Sequence, residues 1–383
     1  MRADQFEANA PGTLVPIFNG VAFVPAPLPP LIEPKWELTA RLDKASAALA
    51  RAAGYARLVA NPEHLLRPLL LREAVESNRL EGTHTQIADV LRQQAVGPPA
   101  DHQRAGRQLE VLRSLQAIDD GTAWVVERRE LSPFLIRSLH GELLRDVRGT
   151  DKSPGRFRTT QVLIGAEGDT PAAARFVPPP PEHVEASIAE LSAFMGSDET
   201  YPVLVSAALS HYQFEAIHPF EDGNGRLGRI LIILMLMSRG VIEKPLVALS
   251  PFFERRRDEY QRRLNEVSTR GAWTEWVLFF LDAIQAQAED SSRRAVTLTE
   301  LTEKYRSLAR AKSRTQTPLV AIDLLMERVF VSAPELATYA KCNYRTARAA
   351  LEALAALGVV EQVEGAYPQL WVARELSEQV YER

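Results

Sequence analysis

The sequence predicts a mainly α-helical protein with two small β regions. Segments 203–214 and 229–239 are apolar, contain no glycine or proline and have the composition of buried helices. β-favouring residues with turn signals are confined to 156–177 and 359–372. Six prolines within the first thirty residues argue against regular helix there. A chain of 383 residues is long enough for two or three domains.

We divide the chain into five parts. Residues 1–30 are predicted to be an extended arm, 31–128 a helical N-terminal region, and 129–285 a helical core that contains a β-hairpin at 156–177. Residues 286–316 form a helical linker, and 317–383 form a small C-terminal unit. In that unit three helices precede a strand–turn–strand pattern, which is the order of a winged helix-turn-helix domain.

The bulk composition is that of a soluble globular protein, with 46% hydrophobic and 25% charged residues. A net charge of −4 gives no sign of nucleic-acid or membrane binding by the protein as a whole. The N-terminus lacks a secretory pattern, and the apolar run 230–237 is far shorter than the ~20 residues of a bilayer span. The single cysteine, Cys342, fits a reducing compartment. We therefore expect a cytoplasmic enzyme without membrane contact.

The most informative stretch is residues 218–229, His-Pro-Phe-Glu-Asp-Gly-Asn-Gly-Arg-Leu-Gly-Arg. It leads directly into the N-terminus of a predicted helix, where free N–H groups and the helix dipole favour anions. A histidine can activate a nucleophile, and a carboxylate can hold a divalent ion. Glycines let backbone N–H groups approach phosphate oxygens. The combination is suited to a nucleoside triphosphate.

This stretch resembles the signature of the Fic family, His-Pro-Phe-x-Asp/Glu-Gly-Asn-Gly-Arg-x-x-Arg, at every fixed position. Most members of that family transfer AMP from ATP to a hydroxyl of a target protein, and others use other nucleotides or groups. The resemblance covers residues 130–285 closely and the helical N-terminal region more loosely. It implies a Fic-type catalytic core at 129–285 with a β-hairpin flap. The implied activity is protein adenylylation of a Ser, Thr or Tyr hydroxyl, with the chain itself as one candidate target.

The resemblance also implies a role for each residue of the loop. His218 would be the general base, and Asp222 would hold Mg²⁺. Arg226 would contact the inner phosphates and Arg229 the γ-phosphate, since the two lie on one helix face. The residues expected to contact ATP are Glu81, Val162, Leu163, Ile164, Gly165, Asp222, Gly223, Asn224, Gly225, Arg226, Leu227, Gly228, Arg229, Tyr260 and Gln261. The alternatives are structural: a buried histidine, a helix-capping aspartate and an ordinary Asn-Gly turn.

Two further regions complete the expected site. The flap would offer the backbone of Gln161, Val162 and Leu163 to the target as an added strand, whereas a plain surface hairpin is the alternative. Tyr260 stands where many relatives carry paired tyrosines beside the adenosine, and Gln261 departs from that pair.

Residues 77–82, Ser-Asn-Arg-Leu-Glu-Gly, resemble the inhibitory motif Ser/Thr-x-x-x-Glu-Gly/Asn of one class of Fic proteins. The motif residues are Ser77, Glu81 and Gly82. Glu81 would pair with Arg229 and occupy the guanidinium that the γ-phosphate needs. A solvated glutamate at a helix end is the alternative.

Other functions stay open at this point. A nucleotide-sensing, DNA-binding regulator would use Lys341, Arg345 and Arg348, but Glu352 and Glu361 dilute that charge. A Fic enzyme could also use another nucleotide or remove AMP. The expected partners are ATP, Mg²⁺ and a protein bearing a hydroxyl side chain. The sequence leaves a homodimer open, and DNA is the less favoured partner.

Overall fold

The structure is a computed structural model that describes residues 1–59, 61–166, 168–197, 200–313 and 315–382. It is mainly helical, with one two-stranded and one three-stranded sheet in the described residues. Within the described part of the chain, no helix combines the length and the apolar character that a bilayer span requires.

The N-terminal arm differs from the expectation of an extended strap. Strands β1 (Gly12–Ile17) and β2 (Gly20–Pro25) form an antiparallel hairpin that pairs from Gly12 opposite Pro25 to Ile17 opposite Gly20. Asn19, with φ 60, supplies the left-handed turn. The Asn19-Gly20 dipeptide between two apolar runs is a hairpin signal, which the sequence analysis overlooked because it weighed only the prolines. Phe23 N–H donates to Val177 O at 2.9 Å and fixes the hairpin to the core.

Four helices form the N-terminal region: α1 (Trp36–Leu58), α2 (Glu63–Leu80), α3 (Ile87–Val96) and α4 (His102–Arg128). Asp101 caps α4 by accepting hydrogen bonds from the N–H groups of Gln103 and Arg104. Helix α1 continues through Gly54, because a buried face that includes Leu49 and Ala56 packs beyond this glycine.

The core comprises six helices: α5 (Pro133–Leu143), α6 (Val184–Ser197), α7 (Val203–Ile217), α8 (Asn224–Ser238), α9 (Ser250–Arg255) and α10 (Arg257–Arg270). Helices α7 and α8 pack against each other and are apolar around most of their circumference, as expected for buried helices. The loop 218–223 joins them, so their packing fixes both ends of the candidate site.

The predicted β-hairpin at 156–177 is not formed as two strands. A single bridge joins Ile164 to Phe176, through hydrogen bonds of 2.9 and 3.0 Å, and the segment before it is irregular. The ladder cannot continue because residues 178–181 are prolines without N–H groups. Side chains replace the missing strand bonds: Gln161 Nε2 donates to Pro178 O at 2.9 Å, and Arg158 donates to Pro179 O at 2.6 Å.

A single helix, α11 (Trp273–Lys312), begins in the core and extends through most of the predicted linker. After it come helix α12 (Thr317–Arg328), strand β3 (Phe330–Ser332), helices α13 (Ala333–Tyr339) and α14 (Tyr344–Ala356), and strands β4 (Glu361–Val363) and β5 (Leu370–Val372). The strand order is β3-β5-β4, with antiparallel pairing throughout. The winged-helix assignment of this unit and the five-part division of the chain stay predictions.

Candidate active site

The loop between α7 and α8 is held in one conformation by its own residues. His218 ends α7 in a left-handed conformation, φ 50 and ψ 62, which is uncommon for a residue with a side chain. Both polar atoms of the Asn224 amide bond the backbone of Phe220, whose N–H donates to Oδ1 and whose carbonyl accepts from Nδ2, each at 2.9 Å. Asn224 therefore braces the loop through its side chain, and its backbone begins α8.

His140 supports the loop from α5. Its ring stacks on Phe220 with 3.7 Å between centroids. Its Nε2 lies 2.9 Å from Asp222 O, and because a carbonyl only accepts, Nε2 carries the proton. Nδ1 then accepts from Gly155 N–H at 2.9 Å. Burial lowers the pKa of His140 to about 4, so the ring stays neutral at neutral pH.

Arg158 joins the flap to the loop. This buried guanidinium donates to His218 O at 2.8 Å, Pro179 O at 2.6 Å and Ile217 O at 3.3 Å. Carbonyls disperse its charge without neutralising it, and burial lowers the pKa of Arg158 to about 10. The C-terminal end of α7 and the proline segment are thus held at fixed separation.

The environment of His218 suits a general base. Nδ1 lies 3.3 Å from the carbonyl of Glu215, which requires the proton on Nδ1 and leaves the Nε2 lone pair available. Burial first, and then the Arg158 guanidinium, lower the pKa of His218 to about 4. The imidazole is therefore neutral at neutral pH and able to accept a proton.

Arg226 is a buried cation without hydrogen bonds. Its side chain is 1% exposed, and none of its three nitrogens has a hydrogen-bond partner among the described residues. The nearest carboxylate oxygens are Asp222 Oδ1 at 3.5 Å and Glu110 Oε2 at 3.7 Å. Because burying an unsatisfied charge is costly, this guanidinium at the start of α8 points to an anionic ligand.

Asp222 is the carboxylate of the loop. Its Oδ1 accepts from Gly223 N–H at 2.6 Å, and its side chain is 34% exposed, so one side is accessible to a ligand. The described residues contain no group of three or more His, Cys, Asp or Glu side chains that could hold a metal ion. One carboxylate fits Mg²⁺ in the manner of nucleotide sites, where phosphates and water supply the other ligands.

Arg229 is buried between α2 and α8. Its Nε donates to Ser77 Oγ and its Nη2 to Ser77 O, both at 2.9 Å. The same Nη2 also donates to Glu81 Oε1 at 2.8 Å. Glu81 ends α2, and Gly82 follows with φ +85. Ser77 and Glu81 of the predicted inhibitory motif therefore contact the predicted γ-phosphate ligand, and Gly82 turns the chain just after them.

A cavity of about 170 Å³ opens beside His218 and Arg229. Its lining also includes Tyr212, Tyr260 and Asn265 together with the flap residue Phe176. Gln261 accepts a hydrogen bond of 2.6 Å from Arg175, which joins α10 to the flap.

The predicted site residues separate into three groups. His218 lines the cavity together with Glu81, Ile164, Gly225, Arg229, Tyr260 and Gln261. A second group lies in the loop after His218 and at the start of α8, and consists of Asp222, Gly223, Asn224 and Arg226. The remaining residues do not line the cavity: Leu227 is fully buried, Gly228 faces α7, and Val162, Leu163 and Gly165 lie in the flap.

Several residues that build the site were not predicted from the sequence, notably Arg158 and Glu110. His140 was predicted as a buried histidine that satisfies backbone groups, as it does, but its contact with the loop was not foreseen. No local pattern distinguishes them, because the contacts that join each of them to α7, the loop or α8 span at least 59 positions. Glu215 lies in the last turn of α7, just before His218. Its side chain was not predicted to belong to the site because no motif includes it.

Comparison with protein-family models assigns the helical N-terminal region and the helical core to the same family. Residues 130–236 match the model described as the Fic/DOC family, and residues 39–123 match the one described as the Fic/DOC family N-terminal region.

Among similar proteins, protein adenylyltransferase fic-1 of Caenorhabditis elegans is 33% identical over 116 residues, 30% of this chain and 21% of the relative. A probable protein adenylyltransferase of Aquifex aeolicus (strain VF5) is 38% identical over 31% of this chain and 34% of the relative. Protein adenylyltransferase Fic of Drosophila grimshawi is 28% identical over 55% of this chain and 39% of the relative. The chain thus spans less than half the length of these relatives.

Solved structures agree on the fold. A Fic family protein from Desulfovibrio desulfuricans G20 superposes with a TM-score of 0.58 at 18% identity and covers 90% of this chain and 98% of that one. Fic-1 (residues 134–508) from C. elegans gives a TM-score of 0.50 at 19% identity and covers 69% and 74%, respectively.

Proposed function

This chain belongs to the Fic/DOC family, and on that premise we propose that it is a nucleotidyltransferase that moves AMP from ATP to a hydroxyl of a protein. The observation that carries the proposal is the buried guanidinium of Arg226 at the start of α8, which makes no hydrogen bond with any described residue, together with the neutral imidazole of His218 at the end of α7. The two groups supply an anion site and a proton acceptor on either side of the loop that joins α7 and α8.

In the proposed reaction, the oxygen of a Ser, Thr or Tyr side chain attacks the α-phosphorus of ATP. The bond from that phosphorus to the oxygen bridging to the β-phosphate breaks, and pyrophosphate leaves. The hydroxyl proton passes to Nε2 of His218, whose Nδ1 is already protonated against Glu215 O. The product is a phosphodiester between AMP and the target protein.

The phosphates would lie against the N-terminus of α8. Gly223, Asn224 and Gly225 would contribute backbone N–H groups, Arg226 would neutralise the inner phosphates, and Arg229 would bind the γ-phosphate. Mg²⁺, held by Asp222, would supply charge neutralisation at the phosphate oxygens.

We further propose that Glu81 restrains this reaction. Its hydrogen bond to Arg229 engages the guanidinium that the γ-phosphate would need. ATP bound beside an engaged Arg229 would be displaced along its phosphate chain, so the α-phosphorus would lie out of line with the attacking oxygen. The proposed inhibitory contact is intramolecular, because α2 and α8 belong to the same chain.

The target would dock at the flap. Residues 161–163 precede the single bridge of Ile164 and form no strand of their own, which is why their backbone is a candidate for pairing with an extended target segment. Val162 and Leu163 would then contribute to target binding rather than to the ATP cavity.

The test is incubation with Mg²⁺ and ATP that carries label at the α-phosphate, followed by intact-mass measurement. The wild-type chain and the Glu81→Gly variant should gain the mass of AMP on the chain or on an added protein, and His218→Ala should abolish the gain. Label transferred only from the γ-phosphate would instead indicate a phosphotransferase. Loss of AMP from a modified protein, with no gain from ATP, would indicate the reverse reaction.

A further inference from the structure

Glu215 is a partly buried acidic residue whose side chain has no role in the proposed reaction. It lies in the last turn of α7, three residues before His218, and lines the same cavity. Its backbone carbonyl orients His218, as described above, but its side chain has no role in that arrangement.

One oxygen of the Glu215 carboxylate has no partner. Oε1 is buried and makes no hydrogen bond with any described residue. The side chain lies close to α8, where a Cβ added to Gly228 would be 2.5 Å from this oxygen. The absence of a side chain at Gly228 therefore leaves room for the carboxylate. A buried acceptor without a donor loses its hydration and is normally satisfied by a ligand or by water.

The place of Glu215 along α7 indicates which part of a nucleotide it would meet. His218 must adjoin the reacting α-phosphorus, whereas Tyr212, six residues earlier on α7, lines the same cavity and has its hydroxyl bonded to Ser268 at 2.9 Å. Glu215 is three residues from each, which corresponds to about 4.5 Å along the helix axis in both directions. In ATP, the sugar is the group between the α-phosphorus and the base.

The electrostatic surroundings agree with a ligand that donates hydrogen bonds and carries no charge of its own. Burial, opposed by Arg229 and supported by Glu81, raises the pKa of Glu215 to about 7. An anionic group would be repelled by the ionised carboxylate. A sugar hydroxyl can donate to the carboxylate and can accept from its protonated form.

We propose that Glu215 binds a ribose hydroxyl of the nucleotide and makes the site selective for ribonucleotides over deoxyribonucleotides. This inference rests on the proposed function, because it takes its orientation from a nucleotide whose α-phosphorus adjoins His218. Glu215 would then determine specificity from α7, the helix that also ends in the proposed general base, His218.

The experiment measures binding without turnover. In a Glu81→Gly, His218→Ala background, the dissociation constants of ATP, 2′-deoxy-ATP and 3′-deoxy-ATP are determined by calorimetry with Mg²⁺ present. With Glu215 intact, at least one deoxy analogue should bind more weakly than ATP. Glu215→Ala should weaken ATP binding about tenfold, the value expected for a hydrogen bond to a charged group, and leave that deoxy analogue unchanged.

Two further variants keep the result interpretable. Glu215→Gln retains an acceptor oxygen and nearly the same volume, and should lose less ATP affinity than alanine does. Glu243→Ala removes a carboxylate that is 79% exposed on the surface and should change nothing. Equal weakening of all three nucleotides by both Glu215 variants would overturn the proposal in favour of a structural role, and unchanged ATP binding would overturn it as well. Failure of the proposed function would show differently, as no AMP transfer by the Glu81→Gly chain with Glu215 in place.

Discussion

Glu81 and Arg229 are 148 positions apart in the chain, yet Oε1 of the glutamate accepts a 2.8 Å hydrogen bond from the guanidinium. Burial alone would raise the pKa of Glu81, but Arg229 outweighs it and holds that pKa below its usual value. The glutamate is therefore ionised at neutral pH. Ser77, one turn earlier on α2, accepts from Nε of the same guanidinium and from the nitrogen that also bonds Glu81.

The first prediction concerns this pair. Glu81→Gly removes the carboxylate and frees Arg229 for the γ-phosphate, so the rate of AMP transfer should rise about 100-fold, the effect of correcting a displacement near 1 Å. Glu81→Gln keeps the shape but not the charge and should raise the rate less. The rate is measured as incorporation of α-phosphate label per minute at saturating ATP. An unchanged rate in Glu81→Gly, with ATP binding demonstrated, would contradict the proposed inhibition by Glu81.

The second prediction concerns Gly149, in the turn next to Asp222. It has φ +90, and a Cβ added there would lie 2.8 Å from Asp222 Oδ2. Gly149→Ala should therefore displace the proposed Mg²⁺ ligand and raise the Mg²⁺ concentration needed for half-maximal transfer. Gly97→Ala is the matched control, since Gly97 has φ +88 and open space around it. Both variants place a side chain at a positive φ, but only Gly149 lies against Asp222, so only the first should alter the Mg²⁺ dependence.

The sequence predicted those parts of the fold that depend on local patterns. The buried helices α7 and α8 and the approach of Glu81 to Arg229 follow from apolar runs and from the resemblance of two short motifs. Family membership and the mainly helical fold are confirmed by the comparisons.

Contacts between distant segments could not be predicted. The bonds of Arg158 to three carbonyls and the stacking of His140 on Phe220 exist only once α5, the flap and the loop are assembled. The flap was predicted as a hairpin because its residues favour strands, but the prolines that follow leave no donors for a second strand. Leu227 and Gly228 were placed in the ATP site by adjacency, whereas helical periodicity turns them towards the core.

The third prediction is loss of stability in mild acid. Burial lowers the pKa of His140 and of His218 to about 4 and that of His211 to about 3, against about 6.5 in an unfolded chain. Between pH 6.5 and 4 the unfolded state therefore binds more protons, so the free energy of unfolding falls by up to about 1.4 kcal/mol per histidine per pH unit. Glu215, whose pKa burial raises to about 7, opposes this trend between pH 7 and 4.5, and Glu73, whose pKa burial also raises, acts in the same direction.

The measurement is the melting temperature as a function of pH. In the wild type, His211 Nε2 lies 2.7 Å from the Tyr260 hydroxyl, and a glutamine at this position can keep that hydrogen bond. His211→Gln should therefore reduce the slope of melting temperature against pH by the contribution of one histidine. His102→Gln, at the exposed start of α4, is the control and should keep the wild-type slope. A melting temperature that does not change from pH 6.5 to 4.5 would show that the carboxyl groups offset the histidines.

The fourth prediction concerns a buried ion cluster that joins three parts of the chain. Asp290 on α11 accepts from Arg72 of α2 at 2.6 Å and from Arg294 at 2.7 Å, and Arg294 also donates to Val380 O near the C-terminus. The two arginine side chains are 8% and 3% exposed. Asp290→Ala would leave both guanidiniums buried without a counter-charge, and should lower the free energy of unfolding by about 3–5 kcal/mol.

Asp290→Asn keeps an acceptor for one arginine and should cost less than alanine. Glu243→Ala breaks a surface pair with Arg57, whose side chains are 79% and 72% exposed, and should cost at most about 1 kcal/mol. Urea denaturation followed by circular dichroism compares the three variants. Because the cluster fixes α2 to α11, Asp290→Ala should also loosen the helix that carries Glu81, and amide exchange in residues 63–80 should become faster. Equal midpoints for Asp290→Ala and Glu243→Ala would refute the view that this cluster holds α2 in place.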